Sequence, residues 1–411
     1  MPGLLGFPGT ALAPAPHVPE FLVLLRRSVD SVRLAFQVLG VAEDAWRGSS
    51  PHRFEASVKP ESMQYVTLYS RLNVLATDLT RDQRAALQSS SDVVTVARNQ
   101  LRRVPPFLVT QAAAETESTY EGQCIQSWAL EAIGIGEAYG APSGKGVKVA
   151  LLDTGVDLGH PDIRDRLIAY KAFEGSRSAQ DENGHGTHCA GVICGPRGVG
   201  RSCGVAPSVS LIAGKVLRSN GEGFDNWILD GIQWAADSGA RIISLSLGGE
   251  RGQGERPEAF DLYEQIAGQL LDENPGVLLV AAAGNSSTPE RVMPVSIPAA
   301  CNSILGVSAI DRNWKIADFS CGAMDQFGSV NLAAPGVEIY SSWINGQFAY
   351  CSGTSMATPH VAGTGALYLE TQQGLPARNL MNMLLTRASK KRPIDPRFGE
   401  GVVQVPQCLV S

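Results

Sequence analysis

Blocks of apolar and polar residues alternate along the chain from about residue 147, and these blocks predict strands that alternate with helices. Short runs of Val, Ile, Leu and Ala predict buried strands, and runs with apolar residues three or four positions apart predict amphipathic helices. The predicted elements are strands over residues 147–155, 209–216, 241–247 and 277–283 and helices over residues 225–238, 260–271, 356–373 and 377–388. This alternation predicts an α/β fold over residues 126–411, with a parallel sheet covered by helices on both faces.

The pattern differs at the N-terminal end of the chain. Residues 19–104 follow the order strand, helix, strand, strand, helix, strand, which predicts a small ferredoxin-like α+β domain. Its predicted elements are strands over residues 21–25, 65–69, 73–79 and 93–97 and helices over residues 28–40 and 80–89. Thr80 followed by Gln83 predicts a capped start for the second helix.

Two further segments lack a periodic pattern. Residues 1–18 hold four prolines and no Lys or Arg, which is typical of a disordered leader. Residues 105–125 begin with Pro105 and Pro106 and continue as a polar run, which predicts a linker without regular structure. Such a linker is a candidate site of proteolytic processing.

Composition narrows the class of protein. The chain has 411 residues, 44% of them hydrophobic and 18% charged, which is ample for a large core. Its formal net charge is −6, and it has no basic stripe, so a nucleic-acid partner is not expected. No apolar stretch reaches about 18 residues, so no membrane span is expected. The first residues lack the features of a secretory signal, which favours a cytoplasmic location and leaves other export routes open.

The eight cysteines are not arranged as metal ligands. They form no Cys-x-x-Cys pair, and their number is ordinary for a reducing compartment. Cys194 and Cys203 bracket a short glycine-rich loop and would be placed to pair if oxidised. We therefore expect no metal site built from cysteine.

The segment Ser352–Val361 is the first candidate for chemistry. It places Ser355 where a glycine-containing loop enters the predicted helix 356–373. A helix start presents unpaired N–H groups and the positive end of the helix dipole, which stabilise a developing oxyanion. A serine hydroxyl is a weak nucleophile at neutral pH and needs a neighbouring base.

Two other segments supply a base and an acid. Asp153 ends the predicted strand 147–155, at the carboxyl edge where α/β sheets place their chemistry. His185 follows 32 residues later between small residues, within the sequence Asn-Gly-His-Gly-Thr-His. Each residue alone has an ordinary interpretation: Asp153 as a turn former, His185 as a core histidine and Ser355 as a helix cap. His188, three residues after His185, is the alternative histidine.

The order Asp153, His185, Ser355 is the order of the catalytic triad in subtilisin. At these three motifs the chain resembles the subtilisin-like serine proteases, the subtilases, over about residues 126–385. The resemblance implies that Asp153 orients the imidazole, that His185 and not His188 is the general base, and that Ser355 is the nucleophile. Asn285, in Ala-Ala-Gly-Asn after the predicted strand 277–283, matches the oxyanion-hole asparagine of the family.

The same resemblance suggests the substrate-binding residues. The edge formed by Ser246, Leu247, Gly248 and Gly249 would pair with an extended substrate. Ala282, Ala283 and Gly284 would form the opposite wall of the first pocket, leaving room for a large apolar side chain. Cys189 resembles the free cysteine that the proteinase K branch carries behind its histidine, and we expect it to be a small buried hydrophobe without a catalytic role.

Residues 19–104 resemble the inhibitory propeptide of subtilases. The resemblance implies a zymogen in which this domain is an intramolecular inhibitor whose tail fills the substrate groove until the protein processes itself. Family spacing puts the processing site near residues 119–123, with Tyr120–Glu121 as the best candidate. The alternative is an unrelated accessory domain.

The chemistry requires no cofactor, but subtilases often bind a structural calcium ion. Asp162 matches one of the family's calcium ligands. The loop 194–203, which would supply the others, offers two arginines and no Asn, Asp or Gln, so we expect this site to be lost. Calcium near Asp181 or Asp225 remains open.

The sequence thus predicts a serine endopeptidase that hydrolyses peptide bonds through an acyl-enzyme. Two alternatives remain: a dedicated maturation protease for one peptide partner, and an inactive subtilase-like binding protein. An α/β-hydrolase esterase is excluded, because its serine lies in Gly-x-Ser-x-Gly and precedes the acid and the histidine.

Overall fold

A computed structural model of the chain describes residues 17–27, 29–50, 53–57, 65–111, 125–126, 128–136, 142–197, 201–254, 256–322, 325–390 and 395–406. The strands are β1 Phe21–Leu25, β2 Arg47–Ser50, β3 Arg53–Ser57, β4 Tyr65–Tyr69, β5 Val74–Thr77, β6 Val93–Arg98, β7 Leu101–Arg103, β8 Leu108–Gln111, β9 Ile125–Gln126, β10 Lys148–Asp153, β11 Leu167–Ala172, β12 Arg201–Ser202, β13 Ser210–Lys215, β14 Glu222–Phe224, β15 Ile242–Leu245, β16 Leu278–Ala282, β17 Ile304–Ile310, β18 Leu332–Pro335, β19 Ile339–Trp343 and β20 Gln347–Ser352. The helices are α1 Ser31–Leu39, α2 Arg81–Ser89, α3 Trp128–Ala132, α4 His185–Cys194, α5 Asp225–Asp237, α6 Phe260–Asp272, α7 Thr354–Thr371 and α8 Ala377–Arg387.

The large domain is built on a parallel sheet with the order β11-β13-β10-β15-β16-β17-β18. Alternate residues of β10 face opposite sides: Val149 and Leu151 pack with helices α4, α7 and α8, whereas Ala150 and Leu152 pack with α5 and α6. The predicted α/β fold, with helices on both faces of a parallel sheet, is confirmed. None of the described helices is long and apolar enough to cross a bilayer.

Three strands of this sheet, β11, β17 and β18, lie outside the predicted set. β11 is an edge strand in which exposed and partly buried residues alternate, so it lacks the continuous apolar run of a central strand. β17 is fully buried, but Gly306 and Ser308 interrupt its apolar sequence. β18 has only four residues, too few for a periodic pattern to stand out.

The N-terminal sheet has the order β2-β3-β4-β5-β1-β6. Its β1, β4, β5 and β6 correspond to the four predicted strands, and Thr80 and Gln83 cap α2 reciprocally through hydrogen bonds of 3.2 and 2.9 Å. The hairpin β2-β3 is an addition to the predicted order. Its sequences, Arg-Gly-Ser-Ser and Arg-Phe-Glu-Ala-Ser, are largely polar and carry no apolar alternation that would predict strands.

Strand β1 joins the two domains. Phe21, Val23 and Leu25 belong to the core of the N-terminal sheet, while Leu22 and Leu24 belong to the cluster that contains the apolar residues of α5 and α6. The N-terminal sheet therefore has a core of its own and also packs on the large domain.

Polar contacts reinforce this interface. Arg71 donates to Asp237 at 2.8 Å and to Glu273 at 2.6 Å, linking the turn after β4 to the ends of α5 and α6. These contacts hold the N-terminal sheet against helices α5 and α6 of the large domain.

Two short strands lie on either side of the start of the predicted linker: β7 just before it and β8 within it. We refer to residues 101–111, which include β7 and β8, as the cleft segment. β7 pairs antiparallel with β14, and β8 pairs antiparallel with β20. The prediction of a structureless linker from residue 105 was wrong for residues 108–111, because the pairing partners lie far away in sequence and leave no local signal.

No disulfide joins the cysteines in the described part of the chain. Cys194 and Cys203 are both buried and are present as thiols, and the Cys203 thiol lies 3.6 Å from the Gly191 carbonyl oxygen. Burial raises the pKa of the Cys194 thiol to about 12, so it stays protonated at neutral pH.

Candidate active site

Three of the predicted site residues lie at the carboxyl edge of the large sheet. Asp153 is the last residue of β10, His185 is the first residue of α4, and Ser355 is the second residue of α7. Helix α7 begins two residues earlier than predicted, so Ser355 lies within its first turn. All three side chains are buried.

Asp153 and His185 are in direct contact. His185 Nδ1 lies 2.8 Å from Asp153 Oδ1, which also accepts from the Thr154 N–H at 2.7 Å. A carboxylate only accepts, so Nδ1 carries the proton and Nε2 is left as the basic nitrogen. Gly184 precedes the histidine at φ +102°, and a Cβ there would lie 2.4 Å from the Trp343 ring, so glycine is needed at this start of α4.

His188 lies elsewhere. Its Nε2 is 2.9 Å from the Ile339 carbonyl oxygen, so it ties α4 to β19. Burial lowers the pKa of His188 to about 3, which keeps the ring neutral at physiological pH. The structure therefore pairs Asp153 with His185 and gives His188 a structural contact.

The Ser355 hydroxyl faces a backbone carbonyl group. Its Oγ lies 3.4 Å from the Ser246 carbonyl oxygen, and His185 Nε2 is buried without a hydrogen-bond partner among the described residues. The Ser246 hydroxyl donates to the Ser355 carbonyl oxygen at 2.9 Å and helps to hold the start of α7.

Asn285 presents its amide N–H to the cleft. Its Oδ1 accepts from the N–H and the hydroxyl of Thr354, at 2.9 and 2.7 Å, so Nδ2 points the other way. Nδ2 donates to the Pro106 carbonyl oxygen at 2.8 Å. At Gly353 a Cβ would lie 2.9 Å from Nδ2, so the loop before α7 leaves room for the amide.

The cleft segment runs through this site as an extended chain. Arg103 and Gly248 exchange two backbone hydrogen bonds of 2.9 Å, and the Val104 N–H donates to the Gly221 carbonyl at 2.9 Å. The Phe107 ring then packs edge-on against the His185 ring, with centroids 4.8 Å apart. The segment thus covers the site from one side to the other.

The other predicted binding residues lie along the same cleft or behind it. Leu247 is buried between Ser246 and Gly248, and Gly249 packs beside Arg102. Ala282 and Ala283 are buried at the end of β16, and the N–H of the next residue, Gly284, donates to the Thr354 hydroxyl at 3.1 Å.

Cys189 lies beneath the site. Its thiol is 3.4 Å from the Ser355 carbonyl oxygen and close to the polar atoms of Asp153 and His185. Burial, and next the charge of Asp153, raise the pKa of this thiol well above its usual value. It is therefore protonated at neutral pH and acts as a buried side chain.

The acids considered for calcium are already engaged. Asp181 accepts from Thr154, Asn183, Gly184 and Thr187, so both of its oxygens are saturated. Both oxygens of Asp225 bind the Arg102 side chain.

In the loop after α4, an arginine binds the backbone carbonyl groups. Arg197 donates to the Pro142 carbonyl at 2.6 Å and to the Val205 carbonyl at 3.3 Å. Asp162 lies 3.3 Å from the Ser342 hydroxyl. The loop thus carries a guanidinium that binds carbonyl oxygens of the neighbouring residues Pro142 and Val205.

Sequence reasoning missed two residues that shape the site. Thr354 orients the Asn285 amide, and its only local signal is its position beside Ser355. Asp225 is predicted from the sequence only as a possible calcium ligand, whereas in the structure it binds Arg102 of the cleft segment. An acid at the start of a helix is common, so nothing local distinguished it.

An α/β sheet with a buried Asp–His pair and a serine at a helix start is an arrangement typical of serine hydrolases. The model of the Subtilase family matches residues 144–401, more than half of the chain, so the chain belongs to the subtilase family. It is a serine endopeptidase.

Individual relatives agree with this placement. Subtilisin DY of Bacillus licheniformis is 36% identical over 263 residues, covering 64% of this chain and 90% of its own length. The major intracellular serine protease of Bacillus subtilis is 36% identical over 273 residues, covering 64% of this chain and 79% of its own. Among solved structures, the crystal structure of a cold adapted subtilisin-like serine proteinase superimposes with a TM-score of 0.56 and a sequence identity of 31%. The match covers 67% of this chain and 96% of that chain.

Two of the buried histidines, His188 and His360, make stability depend on pH. Burial lowers the pKa of His188 to about 3 and of His360 to about 4, while both titrate near 6.5 when unfolded. Below pH 6.5 the unfolded state binds more protons, so the free energy of unfolding should fall as pH decreases. The expected loss is about 4 kcal/mol between pH 7 and pH 5, measurable by urea unfolding of the Ser355→Ala chain.

A single replacement tests the cause. His360→Gln removes one of the two titrating groups and should reduce this decline by about half. An unchanged pH dependence in His360→Gln would show that other groups produce it.

Proposed function

We propose that this endopeptidase acts through Asp153, His185 and Ser355, with Asn285 in the oxyanion hole. The observation that carries the proposal is the pairing of His185 with Asp153 at the edge where Asn285 donates to a backbone carbonyl of an extended chain. That carbonyl belongs to Pro106 and occupies the place of a substrate carbonyl.

The proposed reaction has two steps. Ser355 Oγ attacks the peptide carbonyl carbon while His185 Nε2 takes its proton, and the oxygen becomes anionic beside Asn285 Nδ2. The C–N bond then breaks, and His185 gives the proton to the leaving amine. In the second step, water attacks the acyl-enzyme while His185 takes a proton from it. The ester bond to Ser355 then breaks, His185 returns the proton to Ser355 Oγ, and the acid is released. The chemistry uses groups of the protein and water and needs no cofactor.

The proposed substrate path is the one that the cleft segment follows. A peptide would pair with Gly248 on one side and with Gly221 and Gly223 on the other, as Arg103, Val104 and Arg102 do. We retain Ser246 to Gly249 as the pairing edge and Ala282 to Gly284 as a pocket wall. Backbone pairing supplies affinity with many sequences, while the pockets supply preference.

We infer that the N-terminal domain and the cleft segment together are an intramolecular inhibitor. The segment passes the site with two consecutive prolines, Pro105 and Pro106, neither of which has an N–H. Proline at both positions removes two amide protons that ordinary residues would offer to the cleft, where the Ser246 carbonyl faces the Ser355 hydroxyl. The prolines therefore favour occupation of the cleft without correct alignment for cleavage.

Processing would then occur between molecules. While residues 101–111 fill the cleft of their own chain, a bond farther along cannot lie at Ser355 of the same molecule. The candidate bond Tyr120–Glu121 lies outside the described residues and stays a prediction.

A separate inhibitor fragment tests this proposal. Residues 17–111, added to processed enzyme, should inhibit hydrolysis of a chromogenic peptide at micromolar concentration, because a folded domain delivers the segment with little further loss of entropy. A fragment ending at residue 104 should inhibit more weakly, since it lacks the contacts of Pro106, Phe107 and β8.

The proline pair provides a matched control. A 17–111 fragment with Pro105→Ala and Pro106→Ala should be cut by the enzyme within the segment, whereas the unaltered fragment stays intact. A folded 17–111 fragment that fails to inhibit would favour the unrelated accessory domain.

Two further proposals concern location and calcium. A relative named as an intracellular protease supports a cytoplasmic location. Arg197, in the loop after α4, binds the carbonyl groups of Pro142 and Val205, and residues 194–203 include no Asn, Asp or Gln, so we propose that this part of the fold is stable without calcium.

A further inference from the structure

The cleft segment carries an arginine whose side chain is enclosed by the large domain. The Arg102 side chain is 4% exposed, whereas that of the next residue, Arg103, is 66% exposed. Successive residues of an extended chain point in opposite directions, so one arginine enters the large domain and the other faces solvent. Of the two, only Arg102 lies in a pocket of the large domain.

The pocket is shaped for a guanidinium group. Arg102 Nε donates to Asp225 Oδ1 at 2.6 Å, and Nη2 donates to Oδ2 at 2.9 Å. The Tyr263 hydroxyl donates to Oδ1 at 2.7 Å, and its ring centroid lies 5.9 Å from the guanidinium carbon. A lysine ammonium cannot make this two-point contact, because it is a single compact charge.

The electrostatics suit a permanent cation. Burial lowers the pKa of Arg102, but the neighbouring Asp225 carboxylate more than offsets this effect, so the net pKa is raised and the guanidinium stays charged. Asp225 itself is fully buried beneath the segment. An apolar side chain in the same place would leave this carboxylate desolvated and without its cation, which is costly.

Apart from Gln100, whose Oε1 accepts from Arg102 Nη2 at 3.1 Å, the groups around the guanidinium belong to the large domain. Asp225 begins α5, Tyr263 lies in α6, and Gly249 follows β15, all in the large domain. A Cβ at Gly249 would lie 2.4 Å from Arg102 Nη1, so the absence of a side chain there opens the entrance. Removal of the cleft segment leaves the pocket in place for another chain.

We propose that Asp225 makes this endopeptidase selective for arginine in substrates, at the position that Arg102 occupies in the cleft. This inference rests on the proposed function, because it assigns the cleft segment's path to substrates. Arg102 is the fourth residue before the Pro105–Pro106 bond and the fifth before the Pro106–Phe107 bond. Asp225 Oδ2 also accepts from the N–H of Gln100, two residues before Arg102, at 3.1 Å. A substrate should therefore extend at least two residues on the N-terminal side of its arginine.

The test uses processed enzyme, prepared from the full chain, and internally quenched peptides of about twelve residues. Arginine, lysine, leucine or alanine is placed at the fourth or fifth residue before the cut bond, and kcat/KM is measured for each. We expect arginine at one of these positions to exceed both lysine and alanine by about 10- to 100-fold. Asp225→Asn should reduce the ratio of arginine to alanine to below about threefold.

Glu222 provides the matched control. It pairs with the exposed Arg103, so Glu222→Gln should retain the arginine preference at the position of Arg102. Gly249→Ala narrows the entrance of the pocket that holds Arg102, so it should lower the ratio of kcat/KM for arginine to that for alanine several-fold. It provides a second test if Asp225→Asn fails to fold.

Two outcomes would overturn the inference while the protease function stands. One is wild-type enzyme that cuts the peptides without preferring arginine at either position, in which case the pair of Arg102 and Asp225 only anchors the inhibitor. The other is an arginine preference that persists in Asp225→Asn. Failure to cut any peptide or protein would instead contradict the proposed function itself.

Discussion

Replacing Ser355 with alanine is expected to abolish peptide hydrolysis, with a loss of about 10⁶-fold in turnover, as for the corresponding serine of subtilisin. The alanine variant has no hydroxyl to form the acyl-enzyme, while His185 and Asn285 remain in place. Since Ser355 Oγ makes only a long contact of 3.4 Å to the Ser246 carbonyl, the fold should be unaffected. The purified variant should stay at its full length of 411 residues.

The control separates loss of chemistry from loss of structure. A trace of processed wild-type enzyme should cut the Ser355→Ala chain near residues 119–123, as N-terminal sequencing would show. The Tm of the uncut variant should equal that of the unprocessed wild-type chain. If the alanine variant processed itself at the wild-type rate, the assignment of Ser355 as nucleophile would be wrong.

Asn285→Ala is expected to lower kcat by about 10²- to 10³-fold, the loss known for the oxyanion-hole asparagine of subtilisin itself. The Asn285 amide acts on the oxygen as it becomes anionic, so KM should change little. Thr354 fixes the direction of this amide through two hydrogen bonds, so the donor is already aimed before substrate binds. Steady-state kinetics on one chromogenic peptide measures both quantities.

Two variants complete the comparison. Thr354→Val removes one of the two contacts that orient the amide and should give a smaller loss of kcat in the same direction. Ser286→Ala, next to Asn285, removes side-chain contacts with Glu250 and Cys321 but none with the Asn285 amide, and it should leave kcat within about twofold. A loss in Asn285→Ala that is confined to KM would place Asn285 in ground-state binding instead.

The elements around the site could be predicted because local patterns reflect their burial. Helix α7 was expected over residues 356–373 and lies at Thr354–Thr371, and the strand expected over residues 147–155 lies at Lys148–Asp153. Continuous apolar runs that end in a glycine or an acid mark central strands and their carboxyl edges. The family resemblance then assigned roles to residues at those edges.

Other elements have no such local pattern. The hairpin β2-β3 is polar and lies at the edge of its sheet, and β7 and β8 pair with strands more than 100 residues away. Strand pairing is a backbone interaction and imposes only a weak preference on side chains. The local sequence therefore indicated a linker where the folded chain forms strands.

By itself the sequence determined the α/β class, the capped helix α2 and the candidate residues Asp153, His185 and Ser355, because each depends on local periodicity or on an ordered motif. Only the tertiary structure decided that Asp153 meets His185 and that Pro106 lies at Asn285. It alone placed Arg102 on Asp225, 123 residues away. Such contacts depend on how distant segments pack, and a hydrogen bond between them leaves no period or spacing in the sequence for a reader to find.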